Sequence, residues 1–142
     1  MMGFETERHI DWGDCDDAGI VFYPHYYRWM DAHFHRFTGA LGFDQRRLAR
    51  EFGIHGTPLR QTGCTFLAPA SYGDTLQIRS QLVALGTTSL KLTYRFSRGN
   101  LPIAEGFEAR VMVSRTGGGE GIAKAAIPPP IRAALAAHLD PD

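Results

Sequence analysis

Pro24-His25-Tyr26-Tyr27-Arg28-Trp29-Met30-Asp31-Ala32-His33-Phe34-His35-Arg36-Phe37-Thr38-Gly39-Ala40-Leu41 is the stretch on which the fold turns. Pro24 suits a first helical position, where its missing N–H costs nothing. Tyr26, Met30, His33, Phe34, Phe37 and Leu41 then recur at helical spacing, so one face of the helix is apolar. Gly39 and Gly42 mark its end. A helix this aromatic is too apolar for a surface role and predicts that something wraps around it.

On its N-terminal side, Glu5 to Trp12 reads as a strand, followed by the turn-rich loop Gly13-Asp14-Cys15-Asp16-Asp17-Ala18-Gly19. On the other side a short helix is expected near Asp44 to Phe52, then a loop from Gly53 to Pro58. Beyond it the period changes from helical to two. Leu76, Ile78, Ser80, Leu82 and Ala84 alternate with polar neighbours, as do Leu90, Leu92, Tyr94 and Phe96. Phe107, Ala109, Val111 and Val113 alternate with Glu108, Arg110 and Met112. These are half-buried antiparallel strands in series, with the apolar set of each facing the core. The glycine-rich run from Thr116 to Gly121 reads as a hairpin loop, Pro128-Pro129-Pro130 ends the sheet, and an amphipathic helix follows through Ala137. The order predicts an α+β fold with a helix on one face of an antiparallel sheet, and one domain over residues 1–142.

Composition narrows the function. Fifteen basic and fifteen acidic side chains balance in 142 residues, which argues against a dominant nucleic-acid surface. No apolar stretch reaches the length of a membrane span. The N-terminal run carries Glu5 and Glu7 where a signal peptide would be basic and then apolar. Cys15 and Cys64 are far apart and form no metal or redox motif, so a reduced, cytoplasmic setting without membrane contact is expected.

Three carboxylates crowd residues 14 to 17, directly ahead of a helix N-terminus. Such a run reads equally as a solvated turn or as a catalytic carboxylate beside helix amides that stabilise an oxyanion. The second reading suits acyl transfer. His33 and His35 project to nearly opposite sides of the helix and make poor co-ligands, so no metal site is expected. Cys15 has no evident histidine partner and reads as a small buried hydrophobe. The run at residues 117–121 lacks the Gly-Lys-Ser/Thr ending of a phosphate loop.

The run from Asp14 to Asp31 resembles the active-site signature of the 4-hydroxybenzoyl-CoA thioesterase family, and Gly56-Thr57-Pro58, Ala70-Ser71-Tyr72-Gly73-Asp74 and Ser89 follow in family order. The resemblance implies the hotdog fold, a long central helix wrapped by an antiparallel sheet. It implies an acyl-CoA thioesterase with Asp16 as nucleophile or general base and the Tyr23 amide polarising the substrate carbonyl. Asp31 would accept the phenolic hydroxyl of the substrate, with Thr57 and Ser89 in the substrate site. It further implies an acyl-CoA substrate, no metal or organic cofactor, and a homodimer or homotetramer with sites between subunits. Three positions depart from the pattern. Gly86-Thr87-Thr88 replaces a basic run that holds nucleotide phosphates, leaving either Arg60, Lys91 or Arg95 for that role or the nucleotide in solvent. Asp17 replaces a proline, and His25 an asparagine. Two other functions fit the same sequence: hydrolysis of a short or medium aliphatic acyl thioester on CoA or acyl carrier protein, and non-catalytic thioester binding.

Overall fold

Helix α1 (Pro24–Ala40) opens at the proline and buries Tyr26, Trp29, Met30, His33, Phe34, Phe37 and Thr38. In the computed structural model, which describes residues 3–141, this face lies against a five-stranded sheet. The strands are β1 (Phe4–His9), β2 (Leu59–Phe66), β3 (Thr75–Leu85), β4 (Ser89–Arg98) and β5 (Leu101–Val111). Their order is β1-β3-β4-β5-β2, and every pairing is antiparallel. Ring contacts run the length of the helix: Tyr26 stands edge-on to Phe96, His33 to Tyr94, and Phe37 tilts against Phe4. The helix packs closely on Gly106 of β5, where a Cβ would sit 2.6 Å from the Met30 sulfur. A side chain there would push helix and sheet apart. This is the α+β hotdog arrangement that the resemblance implied.

Smaller elements close the ends of the sheet. Helix α2 (Gln45–Phe52) starts at Asp44, whose carboxylate accepts from the Arg47 amide at 2.8 Å, and stops at Gly53 with φ 68°. Strands β6 (Val113–Thr116) and β7 (Gly121–Lys124) form the expected hairpin. Helix α3 (Pro129–Ala136) buries Ile131 and Leu135.

Three expectations need correction. The first strand ends at His9, not Trp12. The Asp11 amide donates to the Asp14 carboxylate at 2.8 Å, and this side-chain bond turns residues 12–14 into a short 3₁₀ turn with Trp12 exposed. Strand β2 was not legible, because it is an edge strand with no buried alternation. The phase is inverted over residues 107–110 of β5, where Glu108 and Arg110 are buried and Phe107 and Ala109 only half-buried, while Val111, Met112 and Val113 beyond them are all buried. The buried charges satisfy one another, which lets a polar pair occupy the core side of the strand. No helix among the described residues is long and apolar enough to cross a membrane.

Candidate active site

The acidic loop is a tight reversal pinned at both ends. Cys15 bridges Val21, the Asp16 amide donates to the Ile20 carbonyl at 3.0 Å, and Gly19 makes the turn with φ 79°. The loop is tied to the chain before β3 by the Val21 amide, which donates to Ala70 at 2.9 Å. These surroundings separate the three acids. Asp14 pairs with Arg8 at 3.2 Å and caps the Asp11 amide. Asp16 is exposed and uses only Oδ1, which accepts from the Ala18 amide at 2.9 Å. Asp17 is exposed and has no hydrogen bond or ion pair among the described residues.

The start of α1 presents the Tyr23 amide. Pro24 has no N–H, His25 donates to Phe22 at 3.0 Å, and Tyr26 donates to Tyr23 at 3.1 Å. That leaves the N–H of Tyr23 without an acceptor among the described residues. The Phe22 amide, one residue earlier, donates to the Asp14 carbonyl at 2.9 Å, which fixes the acidic loop beside the helix start. An open amide at a helix N-terminus attracts a developing negative charge. Beside it lies an apolar hollow of about 290 Å³ lined by Ile20, Tyr23, Tyr26, Phe66 and Leu67. Burial pushes the Tyr26 hydroxyl up to about 12, so it stays protonated at neutral pH.

Asp31 lies eight residues after Tyr23, about 12 Å further along the helix axis at 1.5 Å per residue. Its side chain is 55% exposed, yet it is held from below. Arg110, 3% exposed, donates from Nη2 to Asp31 Oδ1 at 2.9 Å and to Glu108 Oε2 at 2.8 Å. Its Nε donates to Glu108 Oε1 at 3.0 Å, and its Nη1 to the Thr57 carbonyl at 2.8 Å. The Tyr94 hydroxyl donates to Glu108 Oε1 at 2.5 Å. Burial works against the Arg110 charge, but its bonds to Glu108 and Asp31 outweigh it and raise its pKa. Burial and the neighbouring Glu108 carboxylate hold the Tyr94 hydroxyl well above its ordinary value. His35 also reaches Asp31 Oδ1, at 3.7 Å.

Two clusters therefore emerge. Asp16 lies in the acidic loop that the Phe22–Asp14 bond fixes beside the helix start of Tyr23, and Asp31 and Thr57 meet through Arg110. Ser89, at the start of β4, has no hydrogen bond to any of them; its carbonyl accepts from Gly86 at 2.7 Å. None of the three cations left for the nucleotide is bonded to Ser89 among the described residues. Lys91 and Arg95 line a hollow on the outer face of the sheet, and Arg60 is exposed on β2. Instead Arg132 of α3 donates to the carbonyls of Gly86 and Thr87. Both cysteines are free, and burial pushes the Cys64 thiol up to about 11, away from the thiolate a nucleophile needs. No metal-holding group of three or more His, Cys, Asp or Glu exists among the described residues. Tyr94, Glu108 and Arg110 were missed from the sequence. The available signal was an acid and a base two apart on one strand, which puts both on the same face.

The family model described as "Thioesterase-like superfamily" matches residues 10–135. The 4-hydroxybenzoyl-CoA thioesterase of Pseudomonas sp. strain CBS-3 is 40% identical over 75 residues, which cover 52% of this chain and 53% of that one. The match thus spans about half the length of that relative. A crystal structure of a 4-hydroxybenzoyl CoA thioesterase mutant complexed with 4-hydroxybenzoyl CoA superposes with a TM-score of 0.88 at 28% identity, covering 95% of this chain and 99% of that one. A gentisyl-coenzyme A thioesterase superposes with a TM-score of 0.80 at 34% identity, covering 93% of this chain and 99% of that one.

Proposed function

The chain belongs to the thioesterase-like superfamily, and on that premise we propose that it is an acyl-CoA thioesterase that hydrolyses an aromatic, hydroxybenzoyl-type CoA thioester to the free acid and CoA. The observation that carries this reading is the open amide of Tyr23, set at a helix N-terminus beside the loop that presents Asp16. Acyl transfer needs a donor for the developing oxyanion and a carboxylate within the same small volume.

In the proposed reaction the thioester carbonyl oxygen accepts from the Tyr23 N–H. The Asp16 carboxylate adds to the carbonyl carbon, or removes a proton from the water that adds. The C=O electron pair moves onto oxygen and is held by the amide. Collapse of the tetrahedral species breaks the C–S bond and releases CoA thiolate, which takes up a proton. In the nucleophilic route, water then cleaves the acyl–Asp16 anhydride, freeing the acid and restoring the carboxylate. Asp31, joined to Thr57 through Arg110, forms the acyl end of the substrate site, where Asp31 accepts the ring hydroxyl, and Ser89 belongs to the substrate site beside Gly86-Thr87-Thr88. Two relatives are named for 4-hydroxybenzoyl and gentisyl CoA esters, which supports an aromatic acyl group. The chemistry needs no metal or organic cofactor beyond the CoA of the substrate. The working unit is a homodimer or homotetramer, one domain per chain over residues 1–142, in the cytoplasm, where Cys15 and Cys64 stay reduced.

The test is thiol release from benzoyl-, 3- and 4-hydroxybenzoyl-, phenylacetyl- and aliphatic CoA esters by wild type and Asp16→Asn. Hydroxybenzoyl esters are expected to be the best substrates. Asp16→Asn should lower kcat by ~10²–10⁴ at an unchanged melting temperature, as loss of a positioned acid–base group does. Near-normal hydrolysis by Asp16→Asn overturns the assignment. Preference for aliphatic esters, or binding without turnover, overturns the substrate class or the enzyme reading respectively.

A further inference from the structure

The buried group beneath Asp31 has no part in the proposed chemistry. It still places two charged side chains, Glu108 at 1% and Arg110 at 3% exposure, on the core side of a strand. Apolar residues of similar volume at such positions are often no less stable than an ion pair. What the pair does accomplish is geometric. An aspartate half in solvent on a helix surface ordinarily swings among rotamers. Here all the contacts of its carboxylate fall on Oδ1, from Arg110 at 2.9 Å and His35 at 3.7 Å. Oδ2 is left open among the described residues. The guanidinium cannot swing with it: it lies over the Phe34 ring at 4.3 Å and is forked onto both oxygens of Glu108, which Tyr94 holds from the other side. Its remaining reach, to the Thr57 carbonyl, ties the loop before β2 to the same cation.

We propose that Arg110 is a positioning residue for acyl-group specificity: clamped by Glu108 and Tyr94, it fixes Asp31 and the Thr57 loop so that one Asp31 oxygen is presented to a hydroxyl on the acyl ring. The inference rests on the assignment of Asp31 to the acyl ring. Arg110 touches no reacting atom. Its loss removes discrimination between ring substituents and leaves hydrolysis at Asp16 and Tyr23 running.

The experiment compares kcat/KM for 4-hydroxybenzoyl-CoA with that for benzoyl-CoA in four proteins: wild type, Asp31→Ala, Arg110→Lys and the double variant Glu108→Gln/Arg110→Met. Arg110→Lys keeps a cation against Glu108 and loses the planar fork that spans Glu108, Asp31 and Thr57. The double variant removes both buried charges together, so no unpaired charge is left in the core. Both are expected to lower the hydroxybenzoyl-to-benzoyl ratio by about 10- to 100-fold, the factor for a lost hydrogen bond to a charged acceptor. The kcat for benzoyl-CoA should stay within about threefold of wild type. A merely structural role for Arg110 would lower both substrates together. An unchanged ratio in Arg110→Lys, alongside a collapsed ratio in Asp31→Ala, overturns this inference and leaves the role of Asp31 standing. A ratio that Asp31→Ala does not change overturns both. Should the double variant fail to fold, Arg110→Lys alone decides.

Discussion

Asp14, Asp16 and Asp17 are equivalent as letters and different as chemistry. Asp14 spends its carboxylate on Arg8 and the Asp11 amide, with its side chain 13% exposed. Asp14→Asn is expected to cost about 1 kcal/mol, a partly exposed ion pair with one capping bond. That is roughly 3 °C in melting temperature, and kcat should stay within a few-fold of wild type. Asp17→Asn should change neither. Calorimetry and a thioester assay on the pair check this, and a large loss of kcat in either variant would move the catalytic carboxylate away from Asp16. The acidic run was legible because adjacent acids before a helix start demand an explanation. Which acids remained open was not, since Arg8 folds back from β1 to occupy Asp14 and leaves Asp16 and Asp17 exposed. Arg110 was illegible for a related reason. Its neighbours Phe107, Ala109 and Val111 make a convincing apolar face, and only the partners Glu108 and Asp31 explain why the polar set is the buried one.

At the scale of elements, α1 was legible almost to the residue, because its aromatic spacing, Pro24 and Gly42 all agree. Strands β3 and β4 were legible for the same reason, their alternation being uninterrupted. Strand β2 was hidden because an edge strand with both faces largely exposed carries no period. His33 shows how α1 is keyed to the sheet. It is buried, with Nδ1 at 2.7 Å from the Thr6 hydroxyl and Nε2 at 2.7 Å from the Ser80 hydroxyl. It thus joins the helix to β1 and β3. Burial, reinforced by the Arg36 charge, lowers its pKa to about 4, while the unfolded chain titrates near 6.5. The folded state therefore holds the ring neutral where the unfolded state binds a proton. Stability from this group is complete above pH ~6.5 and is lost as pH falls towards 4, by about 1.4 kcal/mol per unit and about 3 kcal/mol in all. Urea unfolding at steps from pH 7.5 to 4 should show that decline in wild type and a shallower one in His33→Gln. Parallel curves for the two proteins would mean that His33 does not carry the dependence.

At the scale of the whole molecule, the sheet ends on β2, whose outer edge is paired to nothing among the described residues. Beside that edge Ile20, Phe22, Tyr23, Phe66 and Leu67 are all exposed. Large exposed apolar side chains gathered next to an open strand edge are what a protein ordinarily covers. Of these five the most exposed is Tyr23, at 58%, which offers the open amide. A thioester carbonyl polarised in open water would gain little from one amide, because solvent competes for the same oxyanion and screens the charge. A second copy seated over this edge would exclude that water. Light scattering at micromolar concentration is therefore expected to report at least twice the 15.7 kDa chain mass. Specific activity should fall on dilution through the dissociation range, in step with the fraction of assembled protein. Full activity from a species that light scattering shows to be monomeric would mean that one chain completes the site alone, and that the apolar edge has another purpose.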